Sequence, residues 1–169
     1  QDADPHAIRR YAFPFHRIVA LMSNMDPVLA SSGDRFIGCD ISPCLLELLC
    51  RIRGMENALF DLVAEQEQAT LLLDRAAEFA IRLGEEACSR FPLDWLWTGD
   101  DVGGQQSMML SPARWRELIA PRLAAIFRVG TSRRIPVAYH SCGAIRPIIP
   151  DLIEMGLSVL NPIQCNCPG

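Results

Sequence analysis

No stretch of the 169-residue sequence approaches the roughly 20 consecutive apolar residues that cross a bilayer, and no charged-then-apolar leader opens it. A membrane-embedded or secreted product is therefore not expected. A basic run is missing as well, and so is an aromatic pattern that would stack bases. With a formal charge of −4 and arginine interspersed with glutamate, this argues against a nucleic-acid surface. Paired cysteine spacing is the next absence. The seven cysteines are an odd number, scattered, and Cys39, Cys50 and Cys88 stand in apolar surroundings. That pattern fits reduced thiols of a cytoplasmic protein better than a disulfide scaffold. What the chain has in quantity is hydrophobic side chains, 50% of all residues, enough at this length for one domain with a proper core.

The order of patterns predicts an α/β fold. Residues 1–34 read as an irregular, partly helical arm, with 2–14 a polar loop and 17–30 a short helix interrupted at Asp26-Pro27. The domain proper is expected over 35–169. Within it, 35–41 reads as a strand, and Pro43 opens a helix over 45–52 that Gly54 closes. Residues 56–63 form another short helix, and 67–88 the longest one. Trp95-Leu96-Trp97 is a second strand running into a Gly- and Asp-rich loop. Ser111-Pro112 supplies an N-cap hydroxyl and a proline at the first helical position. The helix so opened carries Trp115, Leu118, Ile119, Leu123, Ile126 and Phe127 at helical spacing, and Pro121 should kink it. A third strand ends at His140, a helix over 145–155 stops at Gly156, and 157–160 is a fourth strand leading into Asn161-Pro162-Ile163-Gln164. Strands alternating with helices imply parallel pairing. The polar segments then gather at the carboxyl ends of the strands, where the sites of such folds lie.

The sharpest of these segments is Tyr139-His140-Ser141-Cys142-Gly143. Side chains repeat on one strand face every two residues, so His140 and Cys142 point the same way, offering an imidazole and a thiol to one zinc ion. Ordinary packing, with Cys142 a small buried hydrophobe, would give the same pattern. Asp100 and Asp101 follow the second strand and are candidates for general acid–base work or substrate orientation; a Gly-Asp turn explains them equally well. Gln105, Asn161 and Gln164 are candidates for lining a substrate site, although Asn-Pro also initiates turns. Trp95, Trp97 and Trp115 are assigned to the core, and Cys39 and Cys44 read as structural thiols.

Taken in order and at their spacing, five segments resemble the uroporphyrinogen decarboxylase-like superfamily. They are Gly99-Asp100-Asp101-Val102-Gly103-Gly104-Gln105, Ser111-Pro112-Ala113-Arg114-Trp115-Arg116, His140-Ser141-Cys142-Gly143, Ile149-Pro150-Asp151-Leu152-Ile153-Glu154-Met155-Gly156 and Leu160-Asn161-Pro162-Ile163-Gln164. The resemblance implies a (β/α)8 TIM barrel with its site at the carboxyl rim. A full barrel takes about 250 residues. The expectation here is a partial barrel of about four parallel strands, cut at both ends, whose exposed edges favour self-association.

Within that superfamily the H-x-C pair resembles the mark of zinc-dependent methyltransferases, which move a methyl group between a corrinoid and a thiol such as coenzyme M. The resemblance thus implies zinc on His140 and Cys142, a corrinoid supplied by a partner protein, and a third ligand, a cysteine, beyond Gly169. Cys165 and Cys167 lie one strand away, without a counterpart in the family pattern. Zinc would hold a coordinated thiol as thiolate near neutral pH. Two alternatives remain open at this stage. One is decarboxylation of uroporphyrinogen, a tetrapyrrole, in porphyrin biosynthesis, although the arginine-rich N-terminal motif of true decarboxylases is absent. The other is a non-catalytic protein binding zinc or a small ligand on the same scaffold.

Overall fold

The computed structural model of the chain describes residues 4–64 and 67–168. The outermost residues of the expected arm and barrel segments, 1–3 and 169, lie outside the described residues. The N-terminal arm holds three short helices, α1 Pro5–Arg10, α2 Ile18–Met22 and α3 Met25–Ala30. After β1 (Gly38–Asp40) come α4 Leu46–Arg53, α5 Met55–Val63 and α6 Glu67–Arg90. Then β2 (Trp95–Gly99) leads to α7 Pro112–Leu118 and α8 Ala120–Thr131, and β3 (Val137–His140) to a 3-10 turn and α9 Ile149–Glu154. The last strand is β4 (Val159–Asn161).

The four strands pair in sequence order, all parallel. Their register places Asp40 beside Trp97, Gly99 beside His140, and His140 beside Asn161. Because side chains alternate, the sheet has two unlike faces. Cys39, Leu96, Val137 and Tyr139 are buried on the face that the helices cover. On the other face Trp97 and His140 are half-buried, while Asp40 and Asn161 are exposed.

Helix α6 covers the sheet with a stripe of small and branched residues, including Ala69, Leu73, Ala76, Ala80 and Ala87, all buried. Small side chains let α8 lie close against it. Phe127 of α8 meets Tyr139 of β3 edge-to-face, with ring centroids 5.8 Å apart. The arm is tied to α6 by cation–π contacts: Arg82 sits 4.2 Å above the Phe15 ring, and Arg75 5.4 Å above that of Phe13.

Several local expectations need correction. Segment 2–14 is not all loop: Asp4 accepts from the His6 amide at 2.9 Å, Pro5 takes the first position, and α1 follows. In 17–30 the break falls at Ser23-Asn24, and Pro27 sits inside the first turn of α3, where a missing amide costs nothing. Strand β1 is shorter than 35–41, because Ile37 exchanges its backbone bonds with Asp94 outside the ladder. Trp115 is fully buried, but Trp95 and Trp97 lie half-buried on the open face. The predicted starts at Ser111-Pro112 and stops at Gly54 and Gly156 hold, and Pro121 falls at the start of α8 just after a break at Ile119.

The seven cysteines are free thiols. Burial pushes Cys39 up to about 11 and Cys44 up to about 12, as befits inert packing groups. Among the described residues no helix is long and apolar enough to cross a membrane.

Candidate metal centre

Strand alternation runs past the end of β3 and divides its last residues between two tasks. Tyr139 and Ser141 turn to the helix side and are buried. There the Tyr139 hydroxyl donates to the Asp100 carbonyl at 3.0 Å, and the Val102 amide donates to Ser141 Oγ at 3.2 Å. Both bonds pin the loop after β2. His140 and Cys142 turn to the open face, with His140 Nε2 3.5 Å from Cys142 Sγ. The H-x-C geometry read from the sequence is present.

Asp101 completes a cluster with them. Its Oδ1 lies 3.5 Å from His140 Nε2 and also accepts from the Cys142 amide at 2.8 Å. One ligand atom from each of Asp101, His140 and Cys142 falls within 4.8 Å of the others. Zinc bonds of about 2.0–2.3 Å at a tetrahedral angle separate neighbouring donors by roughly 3.5 Å, so both distances to Nε2 suit a shared ion. The donor set, one nitrogen, one sulfur and one oxygen, is also one that zinc accepts. Asn161 Oδ1 stands 3.2 Å from His140 Nδ1, which fixes the ring and leaves Nε2 for the metal. A zinc ion held by three protein ligands would keep a fourth position for a substrate.

Electrostatics points the same way. Burial raises the Cys142 thiol above its ordinary value, and Asp101 and Cys167 push it further in that direction. Without a cation the thiol stays protonated near neutral pH. A bound divalent ion would reverse that balance. The chain Cys142–His140–Asn161 also has the order of a cysteine-nucleophile triad, but a raised thiol is the opposite of what such a nucleophile needs.

Asp100 and Asp101, which the sequence does not tell apart, have different places. Asp100 is fully buried and lies outside the cluster. Its Oδ2 accepts from the Leu46 amide at 2.9 Å and its Oδ1 from the Glu47 amide at 2.7 Å. It therefore caps α4 from the end of the neighbouring strand, whereas the sequence pattern pointed to Pro43 as the helix opener. Gln164 and Gln105 support the loop at Gly143: Gln164 Oε1 accepts from the Gly143 amide at 2.8 Å, and its Nε2 reaches Gln105 Oε1 at 3.4 Å. Cys167 stands 3.8 Å from the same Gln105 oxygen, whereas Cys165 is exposed and bonds the Ile163 carbonyl. Neither belongs to the three-residue cluster. Sequence reasoning missed Trp97, whose ring centroid lies 6.1 Å from that of His140. Strand alternation from the same face would have found it.

Two glycines lock the loops that carry the ligands. Gly143 has φ +83°, and a Cβ there would stand 2.6 Å from the Gly103 carbonyl and from the Gly104 oxygen. The Ala144 amide donates to that Gly104 oxygen at 2.9 Å. The loop with Cys142 is thereby stitched to the loop with Asp101.

Comparison with known proteins agrees with this architecture. The Uroporphyrinogen decarboxylase (URO-D) family profile matches residues 36–163. Among solved structures, a methyltransferase from Methanosarcina mazei superposes with a TM-score of 0.61 and 18% identity, over 93% of this chain and 43% of that one. The present chain thus spans less than half the length of that protein, and the likeness is one of fold. None of the curated proteins matches.

Proposed function

Because the chain belongs to the uroporphyrinogen decarboxylase family, with four parallel strands forming part of a TIM barrel, we propose that it carries the metal centre of a zinc-dependent methyltransferase acting on a small thiol. The observation that carries this reading is the cluster of Asp101, His140 and Cys142, in which His140 Nε2 lies 3.5 Å from both an Asp101 oxygen and the Cys142 sulfur. Bound zinc would supply Lewis acidity, holding a substrate thiol as thiolate near neutral pH. The chain's own residues do the rest. His140, oriented by Asn161, and Cys142 hold the ion, Asp101 takes a third position, and the Gly103–Gly143 contact keeps the two ligand loops together. The methyl donor is a substrate in this scheme, a corrinoid carried by a partner protein.

Decarboxylation of a polycarboxylate tetrapyrrole is the competing reading, since it gives the family its name. It needs cations to meet the substrate's carboxylates. Among the described residues none of the arginines lies in the four strands.

Metal analysis tests the reading. The chain should bind one zinc, and Cys142→Ala should lose stoichiometric binding while keeping the fold by circular dichroism. Methyl transfer from a methylated corrinoid to a thiol is the activity expected of the zinc-loaded protein. Zinc retained by Cys142→Ala would sink the metal assignment. Metal-independent loss of carbon dioxide from uroporphyrinogen would replace it with the decarboxylase reading.

A further inference from the structure

Asp40 ends β1 on the same open face as Trp97 and His140. Ser42 follows it toward the rim. A Cβ placed on Gly99 would lie 3.1 Å from the His140 Cβ and 3.5 Å from the Ser42 Cβ. Only a missing side chain therefore separates Ser42 from the imidazole that the metal would use. That notch lies directly beside the candidate ligand His140.

The Asp40 carboxylate is held but not neutralised. Its Oδ1 accepts from the Ser42 amide at 2.8 Å and from the Ser42 hydroxyl at 2.5 Å. Its Oδ2 has no partner among the described residues, although the chain contains sixteen arginines. None of these lies in the rim segments 41–45, 100–111, 141–145 or 162–168. The nearest in sequence, Arg146, lines a cleft of about 190 Å³ beside β4 with Gly143, Leu160, Gln164 and Cys167, none of which borders Asp40 in the sheet. The notch therefore faces an uncompensated carboxylate, with Trp97 beneath it and Asp101 among the candidate ligands.

We propose that Asp40, positioned by Ser42, is a specificity residue that makes this centre select thiols with cationic or neutral head groups over anionic ones. The inference rests on the metal-and-thiol reading above and narrows its substrate class. With its sulfur on a metal held by His140 and Cys142 and its proton released to solvent, a thiol would turn its head group toward the Gly99 notch and the free Asp40 oxygen. An ammonium gains a charge-assisted hydrogen bond there. A sulfonate or carboxylate meets like charge at the same distance.

The test loads the full chain with Co(II), whose sulfur-to-metal absorption reports thiolate binding. Cysteamine, 2-mercaptoethanol and 2-mercaptoethanesulfonate are then titrated into wild type, Asp40→Asn and Ser42→Ala. Asparagine keeps an oxygen for the Ser42 amide and removes only the charge. Cysteamine should bind wild type on the order of tenfold more tightly than the sulfonate, a ratio expected of one unit charge several ångströms away. Asp40→Asn should shrink the ratio to about twofold, and Ser42→Ala, which keeps the charge, should retain most of it. Comparing ratios between variants cancels the thiols' own acidities. A ratio unchanged in Asp40→Asn, or a preference of wild type for the sulfonate, overturns the Asp40 assignment and leaves the metal reading standing. Failure of wild type to take up Co(II) overturns the metal reading and this inference with it.

Discussion

Asp100→Ala should cost the fold about 3 kcal/mol and lower the thermal midpoint by roughly 6–12 °C, as followed by circular dichroism. The carboxylate is fully buried and satisfies the first amides of α4, from the loop after β2, 53 and 54 residues away in sequence. Truncation leaves the Leu46 and Glu47 amides without acceptors, and Leu46 is itself inaccessible to water. Each orphaned buried amide costs about 1–3 kcal/mol. The positive end of the helix dipole also loses a well-placed negative partner. Asp101→Ala is the control: its side chain is 42% exposed, so less than about 1 kcal/mol should go, whereas metal affinity should fall. Equal stability losses in the two variants would contradict the division of labour between these neighbours.

The same residue should leave a signature in pH. Burial pushes the Asp100 carboxyl up to about 7, with the Glu47 and Leu46 amides pulling the other way. A carboxyl near 7 in the folded state and near 4 in the unfolded one binds more protons when folded across that window. Its contribution to stability is therefore largest below pH 4, declines as pH rises from about 4 to about 7, and is flat above. Asp151 opposes it at the acid end, because its hydrogen bond to Arg116 holds its carboxyl low, giving stability that is lost on acidification. Subtracting the Asp100→Asn profile from wild type isolates the first group. An unchanged slope between pH 4 and 7 in that variant would show that Asp100 does not titrate there.

This explains why part of the site was legible in the sequence and part was not. Strand alternation is a local rule, so His140 and Cys142 could be placed on one face from their spacing alone. Caps built from adjacent residues were equally readable, as at Ser111-Pro112 and Gly54. Asp4-Pro5 carries the same kind of signal, but in a polar segment whose composition favours a loop. Asp100 and Asp101 differ only in what the fold brings to them. One meets the amides of a helix that begins after β1, the other an imidazole at the end of β3, and no local pattern contains either partner. Asn161 belongs to the same class. Read as a substrate-lining residue or a turn former, it meets His140 Nδ1 only because β3 and β4 pair in the observed register. The half-buried tryptophans follow a third logic. Apolar residues in a strand predict a buried face, but only one face of this sheet is covered by described helices.

Gly143→Ala tests whether the two ligand loops are held by contact or merely by chain connectivity. The substitution meets two obstacles of different size. A left-handed backbone costs a residue with a Cβ about 1 kcal/mol. The new methyl would also stand 2.6 Å from backbone atoms of Gly103 and Gly104, which cannot rotate aside as a side chain would. The loops must part, breaking the bond from the Ala144 amide to Gly104 and drawing Cys142 away from Asp101. A total loss of about 3–5 kcal/mol is expected, with a tenfold or greater fall in zinc affinity although no ligand has changed. Gly33→Ala separates the two terms, since Gly33 also has positive φ, +57°, but nothing within 4 Å of its Cβ position. That variant should lose only about 1 kcal/mol and bind zinc as wild type does. If Gly143→Ala loses no more than Gly33→Ala and keeps its zinc, the interlock does not hold the centre together. If it loses both stability and metal, the geometry of Asp101, His140 and Cys142 depends on a backbone contact that only glycine permits.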